Sequence, residues 1–342
     1  MQRPDDFARR VWAGEGGALG AALRVALAPA EAAFRGIVAA RNGAYDRGWM
    51  RSEQVGLPVI SVGNVAVGGA GKTPFAAWLA RRLADWGRKP AIALRGYGED
   101  EIVLHRELNP DIPVFRGKRR ADAAREALAA GRDTVVLDDA FQHRALARDL
   151  DLVLIPVEGW EPRPHVLPRG PWREGLDALA RAHVIVLTRK SADAARAETV
   201  AAEVARLQPG TPVIRVALLP SGLVPLRGGA GTTVDALAGR RVLAVAALAT
   251  PEPFFATLRQ AGAEVDAAAY PDHHPFSADD ARALVARAAG RMLVMTHKDA
   301  VKLRALLPAD ADAWVLEQRV VIESGADALD VALRRALTEH EG

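Results

Sequence analysis

Val59-Ile60-Ser61-Val62-Gly63-Asn64-Val65-Ala66-Val67-Gly68-Gly69-Ala70-Gly71-Lys72-Thr73-Pro74 decides the fold of this chain. An apolar, β-branched run enters a glycine-rich turn. The turn closes on Gly71-Lys72-Thr73, and an amphipathic segment follows. Strand, glycine turn and helix in that order make a phosphate-binding loop. Small residues at Gly68, Gly69, Ala70 and Gly71 let backbone N–H groups crowd a polyphosphate, and the helix N-terminus adds unpaired donors. Lys72 is placed to reach β- and γ-phosphates, and the Thr73 hydroxyl to take a Mg²⁺ position. The strict pattern asks for glycine where Ala66 stands. A chance Gly-Lys-Thr in a surface turn is the alternative, and the strand before it and helix after it argue against chance. The stretch predicts binding of a nucleoside triphosphate.

Outward from this loop the chain alternates apolar runs with amphipathic segments. Strands are predicted at 58–63, 90–95, 134–138, 151–156, 183–188 and 212–216, with helices near 72–86, 119–130 and 191–207. The alternation implies an α/β fold, a P-loop NTPase-type parallel sheet with helices on both faces. Gly- and Pro-rich sequence over 220–232 marks a boundary. A second, smaller α/β unit follows, with strands at 241–247, 264–269, 292–296 and 313–321 and helices near 251–262, 277–289 and 325–339. Residues 1–52 read as a separate helical segment, with Pro29 between two apolar periodic stretches. Arg3, Arg9, Arg10, Arg24, Arg35, Arg41, Arg47 and Arg51 punctuate it, and Trp12 and Trp49 stand near its ends. Such a helix lies in a membrane interface or packs on the domain behind it. Three units are therefore expected: 1–52, 53–219 and 220–342.

Composition narrows the classes. The 342 residues carry a formal net charge of +3, too mild to imply a nucleic-acid partner. Cysteine is absent, which excludes a disulfide framework and Cys-ligated metals. No apolar run reaches the roughly 18 residues that a spanning helix needs. The polar, acidic start of the chain lacks the pattern of a secretory signal. A soluble or membrane-surface protein on the cytoplasmic side is the expectation, with no obligate protein partner evident.

Several strand ends carry chemistry. Asp138 and Asp139 close the apolar run Thr134-Val135-Val136-Leu137, where a P-loop protein holds Mg²⁺. Gln142 and His143 follow on a loop leaving the same edge of the sheet, positioned for phosphate or acceptor. Arg95-Gly96-Tyr97-Gly98 reads as a tight exposed turn, and Asp100 just after it is a candidate general base. Arg169 and Arg173 lie in a stiff Pro-rich loop, and guanidinium forks suit phosphate. Asp272-His273-His274 suits a proton relay better than a zinc site, since adjacent side chains rarely converge on one metal. Lys298 and Lys302 face an anionic ligand or solvent.

Together these segments resemble one family, the tetraacyldisaccharide 4′-kinases, the lipid A 4′-kinases of Gram-negative bacteria. The family's V-G-N-x-x-V-G-G-x-G-K-T-P stands at 62–74, and it too lacks the first Walker glycine. Its R-G-Y-G stands at 95–98, its D-D-x-x-Q-H at 138–143 and its L-P-x-G-P-x-R-E at 167–174. Its D-H pair stands at Asp272 and His273, and its T-x-K-D-A-x-K at 296–302. The resemblance implies ATP- and Mg²⁺-dependent phosphorylation of the 4′-hydroxyl of a tetraacylated glucosamine disaccharide 1-phosphate. It implies a peripheral enzyme on the cytoplasmic face of the inner membrane, docked by its N-terminal segment. Carried over, Lys72 and Thr73 hold phosphates and Mg²⁺, and Asp138 and Asp139 serve the metal. Asp100 inherits the acceptor base from a G-D-E-P segment that is shortened here to Glu99-Asp100-Glu101-Ile102, and His273 tunes it. Asn64, Gln142, His143, Arg173, Glu174 and Asp272 shape the phosphate and acceptor pocket. Ala140, His297 and Leu94 replace the family's usual Gly, Glu and Ser. A P-loop kinase or ATPase acting on a soluble acceptor, and a nucleotide-switched membrane adaptor, are the competing readings. The acceptor base and the D-H pair count against the adaptor.

Overall fold

A computed structural model describes residues 11, 12, 14, 16–95, 99–338 and 340. Arg3, Arg9, Arg10 and the Gly96-Tyr97-Gly98 turn lie outside the described residues. The elements run α1 (Gly17–Ala26), α2 (Ala28–Asp46), β1 (Val59–Asn64), α3 (Lys72–Asp85), β2 (Pro90–Arg95), α4 (Glu99–Leu108), β3 (Val114–Gly117), α5 (Arg120–Ala129), β4 (Thr134–Asp138), β5 (Leu150–Pro156), β6 (Val184–Arg189) and α6 (Ala194–Leu207). They continue with β7 (Val213–Pro225), β8 (Arg241–Ala246), α7 (Glu252–Gln260), β9 (Glu264–Ala269), α8 (Ala278–Ala288), β10 (Met292–Thr296), α9 (His297–Leu303), β11 (Ala313–Ser324) and α10 (Ala326–Thr338).

All eleven strands join one sheet in the order β3-β2-β4-β1-β5-β6-β7-β11-β10-β8-β9. Every neighbouring pair is parallel except β7 with β11. Parallel strands are buried on both faces and so read as near-continuous apolar runs. In the first half, Ile60 and Val62 face a core shared with Phe75, Leu79 and Leu83 of α3, while Val59 faces Ala123, Ala124 and Ala127 of α5. In the second half, Leu243 and Val245 pack under α8 and α9, and Val242 and Ala244 pack on Phe254 and Leu258 of α7.

The boundary expected at 219/220 falls inside β7, so the second unit is not a separate sheet. Two features explain the misreading. Pro220 and Gly222 look like linker residues, yet the β7–β11 register shifts between Glu317 and Gln318, leaving Ser221 as an extra residue. A bulge is where a strand tolerates proline and glycine. The last helix also crosses the expected division. Leu329, Leu333 and Leu337 of α10 enter the core around α3, Asp330 pairs with Arg82 at 2.6 Å, and Arg334 lies over the Trp86 ring.

The N-terminal helices are tied to the first half by polar contacts and left apolar outside. Buried Glu31 accepts from the Val166 N–H at 2.9 Å and from Arg35, with Arg169 close by. Asn42 Nδ2 donates to Glu174 at 3.0 Å. Meanwhile Leu19, Val25, Ile37, Trp49 and Met50 stand exposed. Among the described residues no single helix is long and apolar enough to cross a membrane; α1 and α2 together have the length and composition but meet at 45°.

Candidate active site

The phosphate loop leaves β1 at the point where its neighbours diverge, β4 on one side and β5 on the other. Such a switch point opens a crevice at the carboxyl ends of parallel strands. Gly71 caps α3 with φ +78, a left-handed conformation, and a Cβ there would meet Leu218 Cδ1 at 2.2 Å. Only glycine fits this corner. Ala66 needs no such freedom: its backbone forms an antiparallel bridge with Trp172. The missing Walker glycine thus reflects an extended residue pinned to the 167–174 loop.

Lys72 and Thr73 open the first turn of α3. The Thr73 hydroxyl donates to Asp138 Oδ2 at 2.9 Å. Lys72 Nζ lies 3.6 Å from Asp139 Oδ1, which also accepts from Arg173 Nη1 at 2.9 Å. Asp139 has φ 52, the left-handed region, which aims it away from its neighbour. Burial alone would raise its carboxyl, but Lys72, Arg173 and Arg120 outweigh this and hold it below the usual range. Buried Arg120 fixes the turn, its Nη2 donating to the carbonyls of Asp138 at 3.2 Å and Asp139 at 2.5 Å. Burial, before any charge, pulls its guanidinium down.

Two side chains from the end of β6 hold the loop from behind. Thr188 Oγ1 donates to the Ala70 carbonyl at 2.9 Å, and Lys190 Nζ to the Gly69 carbonyl at 2.8 Å. Glu158 clasps the turn beneath them, accepting from the N–H groups of Lys190, Ser191 and Ala192. Burial lowers the Lys190 ammonium, with Glu158 opposing.

A cavity of about 400 Å³ runs between the halves. The first half contributes 67–73, Glu101, Asp138, Asp139, Arg173 and Lys190. The second contributes 248–250, Phe254, Asp272, His273 and 296–298, with Leu316 and Gln318 at the seam. Asp100 is not on an exposed turn but in the first turn of α4, where Glu99, Asp100 and Glu101 suit the positive end of the helix dipole. Its carboxylate is only 10 % exposed, with Lys302 Nζ at 3.3 Å and His273 Nδ1 at 3.9 Å from Oδ2. The histidine is near the proposed base but beyond hydrogen-bond reach. His273 has φ 56 and a half-exposed ring; burial and then Lys298 push its pKa down, while Asp272 and Asp100 pull it up. Lys298 bridges Asp272 at 3.6 Å and His273 Nε2 at 3.2 Å.

Other expected pocket residues take different positions. Asn64, Gln142 and His143 line neither this cavity nor a second one of about 450 Å³ beneath α2. Asn64 Nδ2 donates to the Ala66 carbonyl at 2.5 Å and Gln142 Nε2 to the Asn64 carbonyl at 2.8 Å, so both shape the loop. Burial and the charge of Arg120 lower His143 to about 4, which leaves it neutral and unsuited to binding phosphate as a cation. Glu174 lines the second cavity, fully paired with Arg181 and Asn42; Arg173 lines both cavities. Sequence reading gave no role to Glu101, Arg120 or Lys190. Glu101, pushed up to about 7 by burial and then by the Asp138 charge, faces the cleft beside the phosphate loop.

The family profile described as Tetraacyldisaccharide-1-P 4'-kinase matches residues 23–103 and 98–338. The chain belongs to the tetraacyldisaccharide 4′-kinase family. A Tetraacyldisaccharide 4'-kinase from Anaeromyxobacter sp. (strain K) is 42 % identical over 95 % of this chain and 94 % of its own length. One from Syntrophus aciditrophicus (strain SB) is 38 % identical over 79 % of this chain and 82 % of its own. A crystal structure of LpxK from Aquifex aeolicus in complex with ATP superposes with TM-score 0.71 at 26 % identity, over 92 % of this chain and 99 % of that one. The family's motifs therefore sit on a fold that this chain shares from the N-terminal helices to α10.

Proposed function

We propose that the protein transfers the γ-phosphoryl group of ATP to the 4′-hydroxyl of a tetraacyldisaccharide 1-phosphate at a membrane surface, with Asp100 as acceptor base. One observation carries this reading: a largely buried carboxylate, Asp100, stands at the edge of the phosphate-loop cleft, and its Oδ2 has no hydrogen-bond partner among the described residues. A nucleotide switch has no use for such a group; a hydroxyl acceptor does.

Phosphoryl transfer is mostly positioning and charge neutralisation. Lys72, now spanning toward Asp139, turns to the β/γ oxygens when nucleotide enters. The loop N–H groups, fixed by Thr188 and Lys190 from behind, orient the phosphates. Asp100 takes the hydroxyl proton late in the reaction, and His273 accepts a hydrogen bond or proton charge beside it when the halves close. Lys302 Nζ, 3.3 Å from Oδ2, holds the carboxylate in place until then. Closure excludes water and limits ATP hydrolysis.

Mg²⁺ fits the donor set. Asp138 Oδ1 is buried without a hydrogen-bond partner, next to the Thr73 hydroxyl. No cluster of three or more His, Cys, Asp or Glu forms a closed cage among the described residues. That suits an ion which binds through one or two carboxylates plus phosphate oxygens and water. Thr73, Asp138 and Asp139 would hold it, and it would supply neutralisation of the developing phosphate charge.

The acceptor enters from the N-terminal side. Arg173 joins the cleft to the second cavity, which Arg35, Arg47 and Arg181 also line. Leaving Leu19, Val25, Ile37, Trp49 and Met50 in water forgoes roughly 1.5–3 kcal/mol for each large apolar side chain. A lipid surface recovers that burial, and Arg24 and Arg51 face its anionic headgroups. The test is transfer of label from γ-labelled ATP to tetraacyldisaccharide 1-phosphate in micelles, beside Lys72→Ala. Label in the lipid, lost in the variant, is the expected result. ATP binding without labelled lipid overturns the assignment.

A further inference from the structure

We propose that His105 is a positioning residue that couples the carboxylate of Asp138 to the helix carrying the acceptor base. This rests on the reading of Thr73 and Asp138 as the metal side of the site.

His105 is fully buried on α4, one turn after Glu101 and on the same helix face. Its Nε2 lies 3.1 Å from Asp138 Oδ2. That oxygen also accepts the Thr73 hydroxyl at 2.9 Å. A carboxylate oxygen accepts, so the ring donates from Nε2. Nδ1 has no hydrogen-bond partner among the described residues. A buried, half-satisfied imidazole works against stability, and a leucine would fill the same space without that penalty. Among the described residues the ring's one polar contact is Asp138.

The consequence for Asp138 is directional. Two donors saturate Oδ2, while Oδ1 stays buried and unbonded. Oδ1 is then the oxygen left for a cation or its water. Rotating the carboxylate would break both bonds, so His105 and Thr73 together hold Oδ1 in place. The same contact locks α4. Its far end is held by the second half, where Glu107 accepts from Arg304 and lies 2.8 Å from His297 Nε2. Asp100 and Glu101 occupy the first turn. Movement of α4 as the halves close is therefore transmitted to Asp138 through one imidazole, and occupation of the metal side is transmitted back to Asp100.

Two variants separate this role from simple packing. His105→Leu keeps volume and removes the donor. His105→Gln places an amide N–H near the position of Nε2. ATP binding is followed by calorimetry against Mg²⁺ concentration, together with steady-state kinetics and thermal melting. In His105→Leu the Mg²⁺ needed for half-maximal ATP binding rises about 10-fold or more. Its kcat falls while KM for ATP at saturating Mg²⁺ is unchanged, and its Tm is equal to or above wild type. His105→Gln recovers most of the Mg²⁺ response. A folded His105→Leu protein with wild-type Mg²⁺ response and kcat overturns the proposal, as does a Gln variant no better than Leu. A wild-type protein whose ATP binding ignores Mg²⁺ overturns the metal assignment beneath it, and that failure shows before any variant is made.

Discussion

The two halves of the sheet equip the cleft in different ways. In the first half the working groups form one hydrogen-bonded set around buried Asp138, His105 and Arg120: Thr73 to Asp138, Asp138 to His105, Asp139 to Arg173, and Arg120 to the turn between them. In the second half they stand on loop ends and helix starts with looser partners. His273 is 55 % exposed and 3.9 Å from Asp100, and Lys298 meets Asp272 at 3.6 Å. On the proposed reading phosphate recognition is prebuilt, while help to Asp100 comes by approach of the other half. Positioning within about an ångström governs such steps, so on the proposed reading loss of a phosphate-loop group should act on binding, and loss of Asp100 or of its neighbours in the second half on turnover.

Substitutions probe that division, starting with the largest effect. Lys72→Ala removes the only phosphate-loop cation and should lower kcat/KM by at least ~10³, with nucleotide affinity also reduced in a direct binding assay. Asp100→Asn should lower kcat by ~10²–10⁴ while ATP affinity, read by calorimetry, stays near wild type. Loss of ATP binding in that variant would place Asp100 in the nucleotide machinery and break the comparison. His273→Ala should lower kcat by about 10–10² and flatten the acid side of the kcat profile, where a histidine whose pKa is pushed down by burial and Lys298 titrates, again with ATP affinity preserved. An equal loss in ATP affinity would show that the second half binds rather than tunes.

The smallest effect is one of stability. Glu101 sits at about 7 in the folded chain against an ordinary 4.5. The folded state therefore holds this proton more tightly than the unfolded chain does. Its contribution is fully present below pH 4.5 and is lost as pH rises through about 7. Glu101→Gln removes that loss. Without nucleotide or divalent ions, it should gain on the order of 1–3 kcal/mol over wild type between pH 5 and pH 8, measured by denaturant unfolding. A difference independent of pH would mean that the carboxylate is already ionised and solvated at the cleft.

The features visible in the sequence are those whose partners are local. The phosphate loop and the Asp138-Asp139 strand end are each written in a few consecutive residues, and the parallel strands announce themselves as apolar runs. The helix α4 was hidden because its opening acids and the preceding glycines resemble a turn, although acids are what a first helical turn prefers. β7 was cut short at Pro220, since a bulge opposite Gln318 has no signature apart from its partner strand. His105, Arg120 and Lys190 acquire roles only through contacts 33, 19 and 121 residues away. Nothing near them in the chain carries that information. Glu174 lines the second cavity, and its ties to Arg181 and to Asn42 of α2 are contacts that its neighbours in sequence do not announce.

The return of α10 to the core around α3 has a consequence for how the molecule is made. Residues from β8 to α9 are threaded as an insertion between two strands of the seam, and the ribosome must complete them before α10 emerges. Until then Phe75, Leu79 and Leu83 lack the leucines that cover them. The nucleotide-binding half, though encoded first, matures last. Shortening the chain before α10 would therefore damage the phosphate loop rather than the half from which residues were removed.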